Sequence, residues 1–158
     1  MSLRILPRGM EMAADPQPLT LSLPSDLRHL SVARAFIESV CHAGRLDVDS
    51  TNAIVVALHE AISNVIRHAH RERPDALLEI QCFLGHDRVE IQVLDEGAPF
   101  DLTAVPWLDP GELRLGGRGV FLMRTLMDEL TCQPRGEHGN ILRMVKRCRQ
   151  NSPCQASS

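Results

Sequence analysis

The sequence predicts an α+β fold, a two-layer sandwich in which helices pack on one face of a mixed, mostly antiparallel β-sheet. Three observations carry this. Apolar and polar residues alternate in several short segments, as half-buried strands require. In three longer segments the apolar residues recur at helical spacing instead. The segments run β-α-α-β-β-loop-α-β-β, and single helices alternating with parallel strands cannot be fitted to that order.

The elements follow in turn. Leu19-Thr20-Leu21-Ser22-Leu23 alternates strictly and is read as a strand ended by Pro24. Ser25 or Asp26 is placed to cap a helix, along which Leu27, Leu30, Val32, Ala33, Phe36, Ile37 and Val40 recur, with Gly44 as its C-cap. Asp47, Asp49 and Ser50 offer N-caps to a second helix, whose apolar face is Ile54, Val55, Leu58, Ile62, Val65 and Ile66. Pro74 and Asp75 mark a turn. A strand over 77–84, a hairpin turn at Gly85-His86-Asp87 and an alternating strand through Val89, Ile91 and Val93 come next. Residues 96–117 combine glycines and prolines without periodicity. So long a connection in a compact domain is commonly functional, and a lid is expected over about 98–116. Helical spacing returns at Val120, Leu122, Met123, Leu126, Met127 and Leu130. Leu130–Gln133 and Ile141–Lys146 read as closing strands. One domain over 18–148 is expected between flexible tails at 1–17 and 149–158.

Composition narrows the function. A length of 158 residues suits one domain, and 44% hydrophobic content suits a packed core. A net charge of −3 gives no electrostatic reason to expect nucleic acid or a membrane surface. No apolar run approaches the roughly 20 residues of a spanning helix. Five cysteines without CxxC spacing argue against a disulfide framework or a zinc site. The expectation is a reduced, cytoplasmic protein with two or three core thiols.

Three motifs carry chemistry. On the second helix, Glu60, Asn64 and His68 are spaced by four and share one face, with Arg67 beside them. A carboxylate one turn before a carboxamide can supply a base and an oxygen ligand for Mg²⁺. An HExxH zinc site is excluded, because Ser63 stands where the second His would be. Asp95-Glu96-Gly97 closes an alternating strand. A carboxylate there can accept from an exocyclic amine such as adenine's, and Gly97 lets backbone approach a flat base. Gly116-Gly117-Arg118-Gly119 precedes a helix, where free backbone N–H groups favour an anion and Arg118 adds charge. No Lys-Ser/Thr follows, so this is not a Walker A loop. Each motif alone has an ordinary structural reading: a solvated helix face, a turn, a flexible loop. Their order along the chain gives them weight together.

That order resembles the GHKL ATPases with the Bergerat ATP-binding fold. Leu58 to Ala69 is similar to their N-box, Asp95 to Asp101 to the next box, and Gly117 to Met123 to the third, so the likeness spans about residues 19–147. Within the superfamily the chain resembles the anti-sigma-factor serine/threonine kinases of bacterial partner switching. The features are its size, Pro99-Phe100-Asp101, and Gly-Gly-Arg-Gly running into Leu-Met-Arg-Thr-Leu-Met-Asp-Glu-Leu. The resemblance implies an ATP- and Mg²⁺-dependent kinase that phosphorylates a small anti-anti-sigma antagonist on Ser or Thr. It also implies a sigma factor or analogous output protein as second partner, and a homodimer. Glu60 would be the general base, Asn64 the Mg²⁺ ligand and Asp95 the reader of the adenine amine, with Gly97, Gly117 and Gly119 lining the nucleotide. Where the family has Gly-Thr before its last strand, this chain has Gly139-Asn140, and Asn140 is expected near the base. Trp107 in the lid has no role in the pattern. The alternative is a nucleotide-responsive binding module that sequesters a partner with little phosphotransfer.

Overall fold

The computed structural model describes residues 17–71, 73–107 and 117–148. The expected tails, Gln17 apart, and positions 108–116 of the expected lid lie outside the described residues.

The strands form where alternation places them. β1 is Leu19–Pro24, β2 Leu77–Leu84, β3 Arg88–Asp95, β4 Glu129–Pro134 and β5 Asn140–Arg147. They make one five-stranded sheet in the order β1-β2-β3-β5-β4. Every pairing is antiparallel, so the expected mixed, mostly antiparallel sheet is wholly antiparallel. Leu78, Ile80 and Cys82 of β2, Val89, Ile91 and Val93 of β3, and Leu142 and Met144 of β5 turn one face to the core. The opposite face carries charge: Arg143 bridges Glu90 at 2.8 Å and Glu129 at 2.9 Å across three strands. A sheet with one face solvated in this way needs a helical layer on only the other.

That layer is α1 (Leu30–Ala43), α2 (Val48–Asn64) and α3 (Arg118–Leu126). α2 is the central helix, burying Ile54, Ala57, Leu58, Ala61 and Ile62. Its start is fixed by Asp47, whose carboxylate accepts from the Ser50 N–H at 2.8 Å and the Ser50 hydroxyl at 2.7 Å. Asp26, not Ser25, caps the short 3₁₀ turn Leu27–His29 that leads into α1. Gly44 closes α1 with ordinary right-handed angles, and the left-handed residue is Arg45 (φ 54°).

Two expectations at α3 are corrected. The helix begins at Arg118, so Gly119 lies within its first turn and not before it. It ends at Leu126; Met127 is extended, and Leu130 pairs with Met144 as part of β4. The apolar spacing there continues past the helix because β4 must also bury a face on the same core. Among the described residues no helix is long and apolar enough to cross a membrane.

Candidate functional site

The last turn of α2 presents Glu60 and Asn64 toward the first turn of α3. The approach is close. A Cβ on Gly119 would lie 2.8 Å from Glu60 Oε2 and 3.3 Å from Asn64 Nδ2. Only a residue without a side chain lets the start of α3 sit against this carboxylate and carboxamide together. Gly117 is the N-cap of α3 with φ 96°, and no side chain caps that end. The first-turn N–H groups of α3 therefore have no intrahelical partner, the arrangement that favours an anion.

After Asn64 the α-helix gives way to a π-helical turn, Val65–Ala69, closed by His70 N–H to Val65 O at 2.9 Å. Single π turns of this kind are frequent at functional sites. The wider turn breaks the four-residue spacing expected to put His68 above Asn64.

At the ends of β3 and β5, Asp95 and Asn140 face one another in the ladder and are 3% and 4% exposed. Asp95 Oδ1 accepts from the Gly97 N–H at 2.7 Å. Asn140 Nδ2 donates to Asp95 Oδ1 at 3.1 Å and to Ala98 O at 2.9 Å, while its Oδ1 accepts from the Phe100 N–H at 2.8 Å. Asp95 Oδ2 has only a long 3.4 Å contact with Asn140 Nδ2, so it keeps acceptor capacity.

Between these parts lies a cavity of about 450 Å³, of a size that suits a small-molecule ligand. Its lining includes the Asp95–Asn140 pair and, from the two helices, Asn64, Gly117 and Gly119. Val105, Met123 and Leu142 give it apolar walls. One lining thus combines a carboxylate acceptor, apolar walls and a helix N-terminus, groups that suit an amino-bearing base and an anion.

The sequence profile of the histidine kinase-like ATPase domain matches residues 23–146. The chain belongs to this family. Two relatives at 29% identity are each named Serine-protein kinase RsbW. The one from Listeria monocytogenes aligns over 127 residues, 75% of this chain and 81% of the relative. The one from Staphylococcus epidermidis aligns over 137 residues, 81% and 85%. The crystal structure of the RsbU and RsbW domains of a Mycobacterium tuberculosis protein superposes with a TM-score of 0.58 at 16% identity. It covers 83% of this chain, which spans only 32% of that one, and the likeness is one of fold.

In this ATPase domain the structure brings together Asn64, His68, Asp95, Gly117, Gly119 and Asn140 around the cavity. Glu60 sits beside it, against Gly119. Arg67 and Arg118 are exposed and off the lining. Gly97 is also off it: a Cβ there would meet the Ala69 backbone at 2.5 Å, so this glycine admits the end of the π turn. Sequence reasoning missed Cys132, whose thiol lines the cavity and is pushed up to about 11 by burial, which keeps it protonated. It also missed Arg124, whose contacts form only in the folded chain. Cys41, Cys82 and Cys148 are buried free thiols, as the composition suggested.

Proposed function

We propose that this ATPase domain is a serine/threonine protein kinase of the partner-switching kind. It would phosphorylate a small anti-anti-sigma antagonist and sequester a sigma factor or analogous output protein. The observation that carries this reading is Glu60 and Asn64 held one turn apart against the open N-terminus of α3, at the rim of the cavity. The names of the Listeria and Staphylococcus relatives support it.

In this reading Asp95 Oδ2 accepts from the adenine amine, and the α3 N-terminus at Gly117 and Gly119 receives the phosphates. The substrate hydroxyl oxygen bonds to the γ-phosphorus as the bridging bond to ADP breaks, and Glu60 takes the hydroxyl proton. The Glu60 side chain is 29% exposed, so a hydroxyl on another protein can reach it. His59 lies about 100° round the helix, with its Nδ1 4.0 Å from Glu60 Oε1.

Asn64 offers one oxygen for Mg²⁺, and among the described residues no cluster of three His, Cys, Asp or Glu could hold a metal. That donor set fits an ion that takes its other ligands from phosphate and water. When bound, Mg²⁺ would supply positive charge to the phosphate oxygens.

The dimer and the cytoplasmic location belong to the same proposal. Leu19, Leu27 and Val32, on β1 and in the 3₁₀ turn and α1, are exposed apolar residues that suit a protein interface. The decisive experiment is ³²P transfer from ATP to a protein co-purified with this chain. Phosphoserine or phosphothreonine on that protein is expected. ATP binding without transfer to any co-purified protein would leave a nucleotide-responsive binding module.

A further inference from the structure

The cavity wall between Ala98 and Trp107 has little structure of its own. It contains one 3₁₀ turn, Leu102–Ala104, capped by Asp101, whose Oδ1 accepts from the Thr103 N–H at 2.9 Å. Its local backbone bonds are long, Ala104 N–H to Asp101 O at 3.2 Å and Val105 N–H to Leu102 O at 3.3 Å. Among the described residues no strand pairs with it. Its position must therefore be set by side chains from elsewhere. Asn140 holds the near end through Ala98 and Phe100.

At the far end Leu102 is buried in the core and Val105 packs against it, and among the described residues the side-chain hydrogen bonds to this backbone come from Arg124. From α3, Arg124 Nη1 donates to Val105 O at 2.9 Å and to Pro106 O at 3.3 Å, and Nη2 donates to Leu102 O at 2.9 Å. Its guanidinium also lies over the Trp107 ring, 4.9 Å from the centroid. A guanidinium suits this task, because its planar fork can serve several carbonyls and stack on an aromatic face at once. Those carbonyls belong to the segment that supplies Ala104, Val105 and Pro106 to the cavity. The same helix supplies Gly119, Val120 and Met123 to it. Arg124 thus ties the wall to the helix that carries the proposed phosphate end.

We propose that Arg124 is a positioning residue that clamps residues 102–107 to α3 and so sets how tightly the cavity retains a nucleotide. Trp107 is the cover of that clamp, which gives a place to a residue the sequence pattern left unassigned. This inference rests on the reading of the cavity as an ATP site. With the clamp removed, Val105 O and Pro106 O turn to water, the wall moves away from Met123, and bound nucleotide escapes faster.

The test uses the full chain and Mg-ATP in calorimetry and stopped flow. In Arg124→Met the dissociation constant is expected to rise about tenfold, through faster release and not slower association, as the loss of several charge-assisted hydrogen bonds implies. Arg124→Lys keeps one or two of those bonds and is expected to recover roughly half of the loss on a logarithmic scale. The emission of Trp107, the single tryptophan, should change in Arg124→Met without nucleotide, because the ring loses the cation above it. A merely structural role would lower the melting temperature without these kinetic and spectroscopic signatures. Should Arg124→Met not fold, Arg124→Lys carries the affinity and release-rate readouts, and wild-type values for both would overturn the clamp. Wild-type affinity in a folded Arg124→Met protein, or unchanged Trp107 emission, would overturn the clamp. Absence of Mg-ATP binding by the wild type would instead overturn the reading of the site on which the clamp rests.

Discussion

Asn140 and Asp95 are cross-strand partners at the last position of the β3–β5 ladder, joined by a 3.1 Å hydrogen bond from Asn140 Nδ2 to Asp95 Oδ1. The amide orientation follows from its neighbours: the nitrogen faces a carboxylate and the Ala98 carbonyl, and the oxygen faces the Phe100 N–H. One carboxamide thus connects the proposed base-reading carboxylate to the start of the cavity wall. Asn140→Ala leaves the Phe100 N–H and the Ala98 carbonyl without their partner. The expected loss is about 1–3 kcal/mol of stability, read as a drop of several degrees in melting temperature. An unchanged melting temperature would show that water replaces the amide at no cost.

Asp95→Asn separates folding from base recognition. The new amide oxygen can keep the Gly97 N–H that Oδ1 now accepts, which leaves the NH₂ group in place of Oδ2. An NH₂ group cannot accept from an adenine amine. The melting temperature without ligand should stay near wild type, while Mg-ATP affinity falls by roughly ten- to a hundredfold, the effect of facing a donor with a donor. Wild-type affinity by calorimetry would move the base reader elsewhere.

Gly119→Ala should uncouple stability from activity. Alanine in a helix is favoured over glycine by roughly 0.5–1 kcal/mol. Its Cβ would nevertheless stand 2.8 Å from Glu60 Oε2, so the carboxylate must swing aside. Misplacing a reacting group by about 1 Å can reduce a rate by about 10²-fold. Phosphotransfer is expected to fall to that degree with the melting temperature held or raised. Full activity in this variant would show that Glu60 has no fixed place in the reaction.

Glu60→Gln and Asn64→Ala distinguish base from metal ligand. Removing a general base typically lowers the rate by 10²–10⁴-fold. Glu60→Gln should therefore bind Mg-ATP normally and transfer phosphate slowly. Asn64→Ala should weaken nucleotide binding in Mg²⁺ more than in EDTA. Transfer at the wild-type rate by Glu60→Gln would mean that another group takes the proton.

His70 gives the fold a pH dependence. It is fully buried between the π turn and Ser25, the residue after β1, with Nδ1 2.8 Å from Ser25 Oγ and, among the described residues, no partner for Nε2. Burial lowers its pKa below the usual 6.5, against an opposing pull from Asp95. The unfolded chain then binds a proton more readily than the folded one. Above the unfolded value both are neutral and stability is whole; it falls as pH drops below about 6.5. The melting temperature should decline from pH 7.5 to 5.5. His70→Met should be less stable at neutral pH, because Ser25 loses its partner, but should show a shallower decline. Parallel slopes for the two proteins would assign the acid limb to other groups.

Much of the molecule was legible in the sequence because its causes are local. Strict alternation in Leu19–Leu23 and through Val89–Val93 reflects the two-residue period of a strand with one buried face. Asp26 and Asp47 cap because a short acidic side chain reaches N–H groups two or three residues ahead. Glu60 and Asn64 share a face because a helix repeats every 3.6 residues. What depended on distant residues was not legible. Helical spacing ran on through Met127, but the helix ends at Leu126 and Met127 is extended. Gly97 serves the backbone of Ala69, and His68 reaches the cavity through a π turn that no periodicity announces. Arg124 spends its donors on carbonyls 18 to 22 residues away. The sequence alone determined the local elements, because backbone sterics and side-chain period act within a few residues. Tertiary structure alone decided which buried polar groups meet, because each must find a partner wherever the packed chain puts one.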